Sequence, residues 1–195
     1  MTLPTFGTGS NPQLNACVNY GPDQWRAYAR GYRRAAERLT QHVRDTHRDQ
    51  DPLIFPVLFL WRHHVELQLK ATVRQASYLL NRPAPVLRSH GLPQLWAETR
   101  RLLEEVFRDF GEKLPQQELK KLANALHLLG ATDPKSMVFR YPEDLDGSPH
   151  IPEVRHINYE VVEAEMTEIS DALDWIDHIL SVFHDMHQDW LSAQY

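Results

Sequence analysis

Nine apolar residues in unbroken succession at 53–61, LIFPVLFLW, run straight into a ladder of charge: Arg62, His63, Glu66, Lys70 and Arg74. The run is too short to cross a bilayer, so it predicts a buried helix of a soluble protein. At about 100° per residue, Arg62, Glu66, Lys70, His63, Ser77 and Arg74 share one arc, interrupted by Val73. Val65, Leu69, Ala76 and Leu79 lie to one side of that arc with Thr72, and Leu67, Ala71 and Tyr78 lie to the other. His64, Gln68 and Gln75 form a second, narrower polar strip. A helix with two apolar flanks packs between neighbours, so its charges line either a groove or a partly buried polar network.

The same periodicity places the other elements. A lead-in over residues 1–20, rich in Pro, Gly, Asn and Thr, precedes a helix that begins near Gly21-Pro22-Asp23 and continues to about His47, with Asp23 as its cap. Trp25, Tyr28, Ala29, Tyr32, Ala36, Leu39 and Val43 are its predicted core face. The charged helix starts at Asp51-Pro52 or at Pro56 and stops before Asn81-Arg82-Pro83-Ala84-Pro85. A third helix is expected over 92–110, ended by Gly111, and a fourth over 115–129, stopped by Gly130. Residues 130–157 hold four prolines and no helical period. A connection of that length is often functional, and 137–141 with 153–159 are weak strand candidates for a small hairpin. The last helix, 158–191, carries a stripe of Val162, Met166, Ile169, Leu173, Ile176, Leu180, Phe183, His187 and Trp190. The fold class is therefore all-α, an up-and-down bundle of four to five helices with one long irregular loop before the last. The N-terminal arm is followed by a single domain over 21–195.

Charge divides the chain. The net charge is −5, yet residues 1–50 hold seven arginines against four acids, and 156–195 hold nine acids and no Lys or Arg. The simpler consequence is mutual attraction of two antiparallel helices; the functional one is a phosphate-binding arginine stripe. The single cysteine, Cys17, excludes an internal disulfide framework. The first residues, MTLPTFGTGSN, lack the basic and apolar regions of a signal peptide, and the expected location is cytoplasmic.

Eleven histidines require a metal site to be weighed. Asp174, Asp177, His178, His184 and His187 share the last helix, but a di-metal bundle needs Glu-x-x-His on two helices, and the histidines beside Glu66 lie upstream of it. No metal or cofactor is expected. Gly7-Thr8-Gly9-Ser10 has no strand before it or helix after it and is no phosphate cradle, and neither a P-loop nor a Gly-x-Ser-x-Gly elbow occurs. The five tryptophans, at 25, 61, 96, 175 and 190, read as core or interface anchors.

Three segments carry a family resemblance: PVLFLWRHHVELQLK at 56–70, SHGLPQLW at 89–96 and FRYPEDLDG at 139–147. Together they resemble bacterial HEPN-like proteins, in which an apolar helix with an Arg/His-x-x-x-Glu-Leu-x-x-Lys type pattern precedes a His-x-Leu-x-x-Leu-Trp element. The resemblance implies a helical bundle and, for many such proteins, a metal-independent ribonuclease acting as a homodimer in toxin or other defence systems. Arg62, His63, Glu66 and Lys70 match the first element, His90, Leu92, Leu95 and Trp96 the second, and Phe139, Arg140, Tyr141 and Pro142 the third. The usual signature, an Arg followed after four to six residues by His, is absent.

On that resemblance His63 or His90 serves as base or acid, Arg62, Lys70 and Arg140 supply positive charge to a phosphorane, and Glu66 orients a neighbour. The alternative is a structural network of i, i+4 ion pairs along Arg62, Glu66 and Lys70, closed by Arg140 from the loop. Two functions follow: an RNA- or nucleotide-directed module, or a non-enzymatic subunit that forms a homodimer or docks a partner protein. Neither involves a membrane.

Overall fold

The computed structural model describes residues 9–18, 21 and 24–192, apart from the side chain of Leu191. After a 3₁₀ turn at Pro12–Leu14 come five helices: α1 Gln24–Thr46, α2 Gln50–Leu79, α3 Leu92–Asp109, α4 Gln116–Thr132 and α5 Tyr159–Ser192. The bundle is all-α, and no strand is named among the described residues. The cap expected at Asp23 lies outside them.

The apolar content of α2 explains its place. Its Val57, Trp61, Val65, Leu69, Val73 and Ala76 are wholly enclosed, because α1, α3 and α5 all pack against it. The helix begins before either expected proline, so Pro52 sits in its first turn and Pro56 lies inside. An interior proline costs about 3 kcal/mol or more. Burial of Ile54, Val57, Leu58 and Trp61 on the same segment offsets that cost.

Side-chain bonds give the helix directions. His64 meets Ser170, Gln68 meets Asp174 and Gln75 meets Ser181, a constant offset of 106 residues, so α2 and α5 run parallel. At α1 the order reverses: Arg26 pairs with Asp177, Arg33 with Asp171 and Asp174, and Arg44 with Glu163. Half of the charge asymmetry is thereby accounted for, as attraction between two antiparallel helices. The Arg33 guanidinium loses hydration by burial, but hydrogen bonds to Glu37 and Asp171 still raise its pKa.

Strict alternation fails at one connection. His90, just before α3, bonds Glu66 in mid-α2, while Arg82, just after α2, bonds Glu105 late in α3. Helix α3 therefore runs parallel to α2. The twelve residues 80–91 permit this, since an extended chain of that length reaches roughly 40 Å, more than the roughly 20 Å from Glu66 to the end of α2.

Gly111 ends α3 as its spacing predicts, at φ 71°, with Glu112 N–H bonded to the Phe107 carbonyl. Gly130 does not end α4, which continues to Thr132. A Cβ at Gly130 would stand 2.5 Å from Cδ of Pro93 in the first turn of α3, so the glycine is a contact point between helices. Gly130→Ala is expected to cost about 1–3 kcal/mol in urea unfolding, because a proline ring cannot swing aside.

The expected strands at 137–141 and 153–159 do not form. Residues 138–140 make a turn, and the only bridge among the described residues joins Glu143 to Pro149, around a tight turn with Gly147 at φ 83°. Asp144 takes the backbone bonds that a ladder would otherwise hold: its N–H bonds Ser148 and its carboxylate accepts from Asp146 and Ser148. On α5 the apolar stripe is buried as far as Phe183; Trp190 is 59% exposed, and Trp175 and Tyr28 are exposed too. The anchors realised in the core are Trp61 and Trp96.

Candidate functional site

Three residues one helical turn apart begin the site. Arg62 Nη1 donates to Glu66 Oε2 at 2.8 Å, and Lys70 Nζ donates to Glu66 Oε1 at 2.7 Å. The i, i+4 spacing along α2 dictates these bonds. Two other parts of the chain then converge on them. His90 Nδ1 lies 2.8 Å from the same Glu66 Oε1, and the His90 carbonyl accepts from Arg62 Nη2 at 2.5 Å. From the end of α4, the Asp133 carbonyl accepts from Arg62 Nε and Nη2, both at 3.3 Å. Asp133 Oδ2 stands 3.1 Å from Nε but off the N–H direction, so that contact is an ion pair without a hydrogen bond.

Burial separates the members. Arg62, Glu66 and Asp133 are enclosed, Lys70 nearly so, and the His90 side chain is 62% exposed. Burial alone would raise the pKa of Glu66; hydrogen bonds from Lys70, His90 and Arg62 outweigh it and hold the carboxyl below its ordinary range. With Nδ1 facing a carboxylate, His90 carries its proton there in the neutral form and presents Nε2 outward.

The remaining expected site residues lie apart from this network. His63 is half-buried, stacked on Phe59 at 5.5 Å between ring centres and edge-on to Tyr32 at 4.4 Å. Desolvation lowers its pKa, against the pull of Glu66 and with the push of Arg62, Lys70 and Arg140. Arg140 is exposed, bonded through Nε to the Ser136 carbonyl and placed over the Phe59 and Tyr141 rings. It was expected to close the network; that place belongs to Asp133. Arg74 is likewise outside, over the Trp25 ring at 5.6 Å.

No family model, curated protein or solved structure matches the chain.

Asp133 is the residue that the spacing along the chain did not single out. Its Oδ1 accepts the N–H groups of Met137 and Val138 at 2.7 and 3.1 Å, which folds the following turn back onto Arg62. An acid just before Pro134, where a helix must end, was the available signal. Phe59 and Tyr32, read as core residues, also frame His63 beside the exposed Arg140. The FRYP segment itself lines a cavity of about 390 Å³ with Phe55, Pro149 and His150.

Among the described residues no group of three His, Cys, Asp or Glu is gathered to hold a metal. Asp174 and Asp177 engage Arg33 and Arg26 instead, and the His184 ring packs on Tyr78. No helix among the described residues is long and apolar enough to cross a membrane.

The second polar strip of α2 is a fastening. His64 is buried between the Ala29 carbonyl on α1 and Ser170 on α5, at 2.9 and 3.0 Å. Desolvation lowers its pKa, so the native state binds fewer protons than the unfolded chain. Its stabilising contribution is complete above the unfolded value of 6.5 and falls as pH drops below it. Urea unfolding of wild type should weaken between neutral pH and pH about 5 with a slope of up to about 1.4 kcal/mol per pH unit from this group. His64→Gln should flatten that slope.

Proposed function

We propose that the chain is an HEPN-like module directed at RNA or a nucleotide, of the kind found in bacterial defence or toxin systems, with His90 as its acid–base group. The observation that carries this reading is the Glu66–His90 pair: a buried carboxylate holds one face of an exposed imidazole at 2.8 Å. Nothing in a purely structural network requires its last member to face solvent. An oriented imidazole is the group that metal-free phosphodiester cleavage needs. His90 Nε2 takes the proton of a 2′-hydroxyl as its oxygen attacks phosphorus; the P–O5′ bond breaks, a 2′,3′-cyclic phosphate forms, and the imidazolium returns the proton to the departing 5′-oxygen. Lys70, bonded to the same Glu66 oxygen, supplies charge to the phosphorane, and the exposed Arg140 and Tyr141 offer a cation and a ring face to the rest of the strand. Arg62 acts through others. It is wholly enclosed and holds the His90 and Asp133 carbonyls in place.

A second reading has its own observation. A groove of about 680 Å³ between α4 and α5, lined by Leu122, Leu129, Val162 and Met166, keeps Leu128 69% exposed. Such a face suits a non-enzymatic subunit that forms a homodimer or docks a partner protein.

Incubation of the purified protein with RNA oligonucleotides in excess EDTA separates the two. Cleavage by wild type that is lost in His90→Ala supports the first. Intact RNA together with salt-insensitive self-association overturns it in favour of the second.

A further inference from the structure

The arginines of α1 fall into two sets. Arg26, Arg33 and Arg44 turn inward to the acids of α5. Arg30, Arg34 and Arg38 are all exposed, and among the described residues they make no ion pair or hydrogen bond. They recur every fourth residue, so their charges stand in a row with steps of roughly 6 Å. Like charges at i, i+4 oppose helix formation. Among the described residues no acid pairs with them, and the nearest acid on α1, Glu37, is bonded to Arg33.

The same face holds a second locally unfavourable choice. Gly31 lies in the middle of α1, where glycine is the poorest helix former after proline. A Cβ there would meet nothing within 4 Å, so no internal contact requires its absence. With Ala27 beside it, Gly31 leaves a low strip of backbone along the arginine row, open to whatever approaches from outside.

We infer that Arg30, Arg34, Arg38 and Gly31 form a docking strip for the sugar–phosphate backbone of a nucleic-acid strand, separate from His90. The ligand class is the one proposed above and rests on that reading; the surface and its task are different. A regular row of fixed cations complements a regular row of phosphates. No large apolar residue sits within the row, so it has no wedge for a membrane. No aromatic ring sits within it either, so it contacts backbone without stacking bases. The acids of α5 that match α1 in a protein-like way are already taken by the inward set. The strip anchors a strand independently of base sequence and leaves the chemistry to another face.

The test uses a fluorescently labelled RNA oligonucleotide of mixed sequence, titrated by anisotropy over a series of KCl concentrations. For Arg30→Gln/Arg34→Gln/Arg38→Gln, affinity is expected to fall tenfold or more, and the slope of log K against log salt should shrink by about 2–3. Gly31→Leu raises a side chain over the strip and should weaken binding while leaving the thermal midpoint equal or higher, which excludes misfolding as the cause. Unchanged affinity and slope in the triple variant overturn the strip, as does binding to phosphatidylserine vesicles in place of RNA. Cleavage that survives with the strip irrelevant defeats this inference alone. Strip-dependent binding without any cleavage defeats only the catalytic reading.

Discussion

Arg62→Ala is expected to lower the unfolding free energy by about 3–5 kcal/mol, read as a shift of the urea midpoint at unchanged m-value. One guanidinium, fully enclosed, serves Glu66, the His90 carbonyl and Asp133. Removing it leaves two carboxylates and two carbonyls with too few donors, and the desolvation already incurred is no longer offset. Since a domain of this size is stable by only about 5–15 kcal/mol, the variant should be largely unfolded at the wild-type thermal midpoint. Lys70→Ala is the informative contrast. Its side chain is 10% exposed, so water can approach Glu66, and the loss should be clearly smaller. The wild-type network has a pH signature as well. Because Glu66 is held below its ordinary value of 4.5, its contribution is complete above that pH and fades as pH falls beneath it. A wild type whose stability is flat between pH about 5 and 3 would contradict the assignment of Glu66 as the network's centre.

His90→Ala is expected to leave the fold within about 1 kcal/mol of wild type, as exposed positions usually do, while reducing metal-free RNA cleavage by about 10²–10⁴-fold, the range for loss of a positioned acid–base group. The two readouts must be taken together. The imidazole contributes one exposed hydrogen bond to Glu66, whereas the carbonyl that receives Arg62 belongs to the backbone and survives the substitution. Loss of cleavage with an intact melting transition assigns His90 a chemical role. Equal loss of both would make it one more strut. His90→Gln keeps a donor for Glu66 without a titratable ring, and should restore any lost stability but no turnover.

Much of this architecture is written locally. Hydrophobic periodicity placed each helix within a few residues, because which face of a helix is apolar depends only on spacing along it. The same reasoning put Arg62, Glu66 and Lys70 in one bonded row, since i, i+4 geometry needs no information from elsewhere. Opposite charge on the first and last helices predicted their pairing, and Arg33 with Asp171 and Asp174 realises it.

What the chain left open is everything that depends on register between distant segments. Asp133 rather than Arg140 closes the network, because the turn at 133–137 folds back through Asp133 Oδ1 and sends the Arg140 guanidinium outward over Phe59. Gly130 looks like a helix stop in one dimension and is a contact with Pro93 in three. The parallel course of α2 and α3 follows from the reach of an extended twelve-residue connection, which no periodicity encodes. Composition and spacing thus determined which helices exist and which face of each is apolar. Only tertiary packing decided which polar groups meet, because the meeting point is set by how far each loop returns along α2 before the next helix begins.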